Sequence, residues 1–177
     1  KIARKTNERF EDIKYAIWET QWLNEFSQHQ TSNQMIVVEV EKEFVDSLYY
    51  YLNDNLRMDF FLNPDEKEIQ FYISESNVPV IIKRLVTRAP IQKIKNKKAV
   101  VPIATLEKIM VDLFADETLL HFYQGSEMVN IYEKIIDRYS INFTKLFSYA
   151  KRRKKEQEIK QFIHNNIPNF LEDIQYD

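Results

Sequence analysis

The sequence predicts an α+β fold: a mixed β-sheet core of about five or six strands, with a C-terminal layer of helices. Three observations carry this. Short β-branched and alternating runs dominate up to about residue 101, and stripes at 3.6-residue spacing dominate after it. The single glycine, Gly125, leaves few tight turns with positive φ and disfavours a hairpin-rich all-β fold. A chain of 177 residues that is 44% hydrophobic and 14% aromatic can fill a sizeable core. The expected organisation is a lead-in over 1–12, one α+β domain over 13–167 (sheet-rich to 101, helical from 102) and an acidic tail over 168–177.

The elements follow in order. Residues 1–12 are polar and read as a loop or helical lead-in. Ile13, Tyr15 and Ile17 alternate, giving a strand over 13–18, and Trp22, Leu23 and Phe26 suit a short helix from about Thr20. The two tryptophans of this Trp18–Phe26 segment read as core packing. A polar break covers His29–Asn33. QMIVVEVE, Gln34–Glu41, is the clearest strand, and the alternation of Glu39 and Glu41 with Val38 and Val40 puts the acids on a solvated face. Phe44, Val45, Leu48 and Leu52 make a helix over 43–53. Strands are expected at 58–62, 68–73 and 78–86, with Asn63-Pro64-Asp65 as a turn. A basic loop runs from Arg88 to Lys98, and 99–101 is a short buried strand. A helix opens at Thr105; Ile103, Leu106, Ile109, Met110, Leu113 and Phe114 form its apolar stripe. A short helix covers 118–123, and Ser126 caps the next helix. Asn142 caps a last one, continuous or broken near Arg153, which Pro168 ends.

Composition excludes several function classes. Without cysteine there are no disulfides, thiolate metal sites or cysteine nucleophiles, which fits a cytoplasmic location. One glycine cannot build a P-loop, a dinucleotide fingerprint or a nucleophile elbow. No apolar run approaches the roughly 20 residues of a membrane span, so no membrane partner is expected, and no signal-peptide pattern is present. The chain begins at Lys1 rather than Met, so it is expected to be a fragment, a processed product or an excised domain.

Charge is segregated. The net charge is only −2, yet no acid lies between Glu75 and Glu107, a window holding Lys83, Arg84, Arg88, Lys93, Lys95, Lys97 and Lys98. None lies between Asp137 and Glu156, which holds Arg138, Lys145, Lys151, Arg152, Arg153, Lys154 and Lys155. Two basic blocks in an acidic remainder can present a polarised surface. The nucleic-acid or partner-binding candidates are therefore Arg88, Lys93, Lys95, Lys97, Lys98 and Lys151 through Lys155, binding phosphates through counterion release. Phe147 and Tyr149 just before the second run could stack on a base. The plainer reading is a solvated helix face.

Catalytic chemistry finds weaker footing. His29, His121 and His164 lack metal-ligand spacing, and no metal site is expected. Asp65-Glu66-Lys67 is a literal Asp-x-Lys, and Asp59, Glu39 and Glu41 lie on or near strands, as a metal-dependent PD-(D/E)xK nuclease requires. Asp65 and Lys67 fall in a turn, however, where charge is the default. Lys108 and Asp112 can pair at i, i+4, which is worth only about 0.3–0.5 kcal/mol on an exposed helix. A charged pair beside an apolar stripe therefore implies a further contact, to Arg88, Arg152 or a partner.

Four patterns occur in order: IWETQWLNEF, VVEVEKE, LVTRAPIQ with PIATLEKIMVDLFAD, and YSINFTKLFSYAKRR. Together, over about Tyr15 to Arg153, they resemble the C-terminal domain of AbiEi-type antitoxins, the repressor halves of bacterial type IV toxin–antitoxin systems of abortive phage infection. The resemblance implies a restriction-endonuclease-like fold without catalysis or cofactor. It implies a nucleotidyltransferase toxin as partner, and DNA bound through an N-terminal winged helix-turn-helix for which there is no room before Ile13. Its motif positions fall on Arg88, Ala89 and Pro90; on Leu106, Glu107, Lys108, Val111 and Asp112; and on Tyr149, Ala150, Arg152 and Arg153. A regulatory interaction domain, a nuclease using Asp59, Asp65 and Lys67, and a plain scaffold are the three readings carried forward.

Overall fold

A computed structural model describes residues 1–28, 34–95 and 99–167. The fold is α+β, as the sequence predicts, and the chain divides into two compact units. One comprises Lys1–Glu25 with Gln30–Thr105; the other comprises Phe26–His29 with Leu106–Asp177.

The first unit is built on a mixed six-stranded sheet. Its strands are β1 (Tyr15–Glu19), β2 (Ile36–Val40), β3 (Phe60–Leu62), β4 (Val80–Arg84), β5 (Ile91–Lys95) and β6 (Val100–Ala104). Their spatial order is β3-β4-β2-β1-β6-β5. β2 runs antiparallel to β1, and β5 antiparallel to β6; the other pairings are parallel. Helices α1 (Ile2–Arg9) and α2 (Val45–Asn55) supply the cover for one sheet face. Ile2 and Ala3 of α1, and Val45, Leu48 and Leu52 of α2, share a core cluster with Tyr15, Ile17, Val38, Val40, Phe60, Val80 and Ile82. The lead-in is therefore a helix packed into the core. Ala16, Trp18, Val37 and Ile81, which alternate onto the opposite face, are equally buried. Central strands buried on both faces read as continuous apolar runs, which is why β2 is so legible.

Glu39 departs from its expected solvated place: it is fully buried on β2, in register with Lys83 of β4. Alternation marks two faces, but it cannot tell which face is wet.

Three other expectations are corrected. Residues 68–73 are not a strand. The short helix α3 (Glu66–Glu68) continues as a π-helical turn, Ile69–Ile73. Asp65 and Glu68 form a reciprocal capping box that starts it. Only Ile69 and Ile73, four apart, are buried, whereas Phe71 is 58% exposed; the alternation was a helical pair with an exposed residue between. The supposed basic loop after Pro90 holds β5, which forms the sheet edge against β6. Exposed lysines suit an edge strand as well as a loop. β6 runs on through Pro102 to Ala104. The one bridge to β1 in its register is Ile17↔Ile103, so a residue without an N–H is tolerated.

The second unit is helical: α4 (Leu106–Ala115), a 3-10 turn at His121–Tyr123, α5 (Ser126–Arg138), α6 (Phe143–Arg152) and α7 (Glu156–Asn166). Its core includes Ile109, Met110, Leu113, Ile131, Tyr132, Ile135, Leu146, Tyr149, Ile159 and Ile163. Phe162 of α7 meets Phe114 and Tyr132 edge-on, at 5.6 and 5.1 Å between ring centroids. The cap of α5 is Gly125 rather than Ser126, and its φ of +64° is the conformation a glycine accepts without strain. Asn142 caps α6 as expected, its Oδ1 accepting from the Lys145 N–H at 2.9 Å. No helix among the described residues is long and apolar enough to cross a membrane. His29, Lys97, Lys98, Pro168 and the acidic tail lie outside the described residues.

The break near Arg153 is a Schellman motif. The Lys155 N–H donates to the Ala150 carbonyl and the Lys154 N–H to the Lys151 carbonyl, with Lys154 at φ +57°. A side chain at this left-handed position is strained. Lys154→Gly should therefore raise the unfolding free energy by about 0.5–1 kcal/mol, measured by urea denaturation.

Candidate functional site

The stripe of α4 accounts for only part of its burial. Glu107 through Leu113 are buried without interruption, charged residues included. Lys108 is 0% exposed and Asp112 1%. A helix buried all round that carries two charges needs partners for them.

Those partners come from α6, packed alongside. Lys108 Nζ is bonded to Asp112 Oδ2 one turn on. The Tyr149 hydroxyl donates to Asp112 Oδ1 at 2.8 Å. Arg153, at the C-cap of α6, lies 3.7 Å from Asp112 Oδ1 and donates to Asp116 Oδ1 at 2.6 Å. Lys108 Nζ also lies 5.7 Å from the centroid of the Tyr149 ring. Two cations and two carboxylates thus balance within one helix pair. A second tie runs beside it: Glu107 Oε1 accepts from the Asn142 N–H at 3.1 Å, where α6 begins. The further contact implied for Lys108 and Asp112 is met by Tyr149 and Arg153, not by Arg152, which is exposed.

Electrostatics follow from burial. Desolvation opposes the charge on Arg153, but the carboxylates of Asp112 and Asp116 outweigh it and hold its pKa above the usual arginine value. Burial, and then the charge of Asp112, push the Tyr132 phenol far above the usual tyrosine range; its hydroxyl donates to the Met110 carbonyl at 2.6 Å. In the sheet unit, burial pushes Tyr15 up to about 12, against a smaller opposing effect of its hydrogen bond to Asn7.

The motif positions Glu107, Lys108, Asp112, Tyr149 and Arg153 are therefore brought together by hydrogen bonds and ion pairs of α4 and α6. Asp116 and Tyr132 were missed by sequence reasoning. Asp116 carried a signal, since 108, 112 and 116 repeat at one-turn spacing; Tyr132 carried none. Of the basic run, Lys151, Arg152 and Lys154 are exposed, Arg153 is drawn into the network, and Lys155 pairs with Glu158 at 2.7 Å. Arg88, Lys93 and Lys95 are exposed in the sheet unit, with Arg88 at φ +55° and Pro90 just before β5. Phe147 is half-buried, with Lys160 Nζ 5.0 Å from its ring centroid.

The nuclease candidates have local structural partners. Asp65 caps α3, and Asp59 accepts from the Ser76 hydroxyl. Glu41 accepts from the Lys14 N–H at 3.1 Å, and Lys67 is exposed. Among the described residues no group of three or more His, Asp or Glu could hold a metal ion. An open cavity of about 480 Å³ in the sheet unit is lined by Ile2, Ile17, Ile36, Leu56, Met58 and neighbours, and takes in none of the predicted site residues.

These features define the class: an α+β protein with a mixed six-stranded sheet and a helical unit locked by a buried ionic network. The chain belongs to the family of unknown function DUF6577, whose model matches residues 1–169. No curated protein and no solved structure matches it.

Two expectations test the network. Asp112→Ala removes the carboxylate that Lys108, Tyr149 and Arg153 all face, and should lower the unfolding free energy by about 3–5 kcal/mol. Lys108→Met with Asp112→Leu should cost less than that single change, because no charge is stranded; chemical denaturation reads both. The phenols give a pH dependence. Their folded pKa values exceed the unfolded value of 10.0, so their contribution is complete below pH 10 and is lost as pH rises through the folded values. Tyr132→Phe should cost about 1–3 kcal/mol at pH 7 but flatten the loss of stability above pH 10, followed by denaturation across alkaline pH.

Proposed function

We propose that the chain is a non-catalytic regulatory domain of the antitoxin type, working in the cytoplasm through exposed cations on a nucleotidyltransferase toxin or on DNA phosphates. One observation supports this reading most. The ionic network fixes the C-terminal end of α6 while leaving Lys151 and Arg152 exposed on its last turn and Lys154 exposed just past its cap. Arg153 within the same run goes inward, so the run is split between one tie and three displayed charges. A cluster of cations on a fixed helix end suits phosphate or acidic-protein contact, because less backbone freedom is lost on binding.

The resemblance to AbiEi-type antitoxins adds a second support. Its motif positions in Leu106–Asp112 and Tyr149–Arg153 are far apart in sequence yet form one cluster. A binding role is favoured over the nuclease reading because Asp65 and Asp59 already serve as a helix cap and a turn partner. In this reading the winged helix that reads operator sequence is a separate element, and the present domain contributes charge rather than base recognition.

Lys151→Glu with Arg152→Glu is the direct test, since neither residue belongs to the buried network. Association with duplex DNA or with a purified nucleotidyltransferase toxin should fall at least about tenfold at low salt. For DNA, the dependence of log affinity on log salt should flatten by about one for each phosphate that is no longer neutralised. Binding indifferent to the double reversal, or no binding to either partner by the unaltered chain, overturns the proposal.

A further inference from the structure

β5 is an edge strand, and among the described residues no strand pairs with its outer side. The pairing phase identifies its free groups. The Thr105 N–H donates to the Pro90 carbonyl at 3.2 Å, and the β5–β6 register pairs Gln92 with Ile103 and Ile94 with Val101. In an antiparallel ladder hydrogen-bonded and non-bonded pairs alternate. Gln92 and Ile94 therefore exchange bonds with β6, while the N–H and C=O groups of Ile91, Lys93 and Lys95 face outward. Gln92 through Lys95 are all exposed, and Ile94 is 47% exposed.

The side chains divide by face. Lys93 and Lys95 lie on one face of β5 with Ile91, and Gln92 and Ile94 on the other. The strand thus offers outward backbone groups, two cations on one face and an apolar side chain on the other. No ion pair engages Lys93 or Lys95 among the described residues.

We propose that β5 receives an extended acidic segment of a partner protein as a seventh strand, with acids beside Lys93 and Lys95 alternating with apolar residues beside Ile94. Backbone pairing supplies the affinity and the alternating side chains the selectivity. A second copy of this chain is disfavoured, because pairing β5 with itself sets lysine against lysine on one face. This inference stands on β5 alone and is independent of the cations on α6.

The test titrates the full chain with blocked peptides alternating Glu and Val, or Lys and Val. The acidic peptide should bind at least about tenfold more tightly, and the amides of Ile91, Lys93 and Lys95 should become protected from hydrogen exchange. Lys93→Glu with Lys95→Glu should reverse the preference. Lys93→Pro removes an outward N–H but no bond to β6, so it should abolish binding while leaving the thermal midpoint nearly unchanged. An acidic peptide methylated on alternate backbone nitrogens should also fail to bind. Equal binding of the methylated peptide would mean charge attraction alone and overturns strand addition, as does the absence of binding by the unmethylated acidic peptide.

Discussion

The helical unit depends on how one carboxylate is satisfied. Asp112 is almost wholly removed from water, and a lone buried carboxylate would cost several kcal/mol. Lys108 answers it from its own helix, and Tyr149 and Arg153 answer it from α6. The arrangement does little for stability beyond what a well-packed apolar cluster would supply. A hydrogen-bonded charge is satisfied over a narrower range of rotations and heights of α6 against α4 than an apolar contact is. Glu107, bonded to the start of α6, and Asp116, bonded to its C-cap, extend the same constraint along the helix pair.

From that constraint the displayed charges follow. The Schellman turn after Arg152 places Lys154 in a left-handed conformation and sends α7 off in a new direction. Arg153 sits at the cap, where it reaches both Asp112 and Asp116. Its neighbours are then held outward by the helix they end. A basic run spread around a helix would otherwise be an ordinary solvated segment; the ion pairs within it decide which members remain available.

The sheet unit follows a different logic. Its interior strands β1, β2 and β4 are largely apolar on both faces, with Glu39 of β2 the buried exception, and burial there supplies the stability. Its β5 edge is the opposite case, narrow and charged, with backbone groups that no strand of its own sheet completes. The two units thus carry positive charge in different ways: one on a capped helix end, the other along a strand edge.

By itself the sequence determined the fold class, the buried strand within 34–41, the helical character of the second unit and the Asn142 cap. Each follows from periodicity or from a capping side chain, and both are local physics. It also flagged Lys108 and Asp112 as a pair needing explanation. Only the tertiary structure decided that Tyr149 and Arg153 complete the pair, because residues far apart in the chain meet through helix packing rather than chain proximity. Only the structure turned Glu39 inward and made Ile69–Ile73 helical. Residues that alternate, and residues one turn apart, can share the same short sequence, and it is the surface they pack against that selects between them.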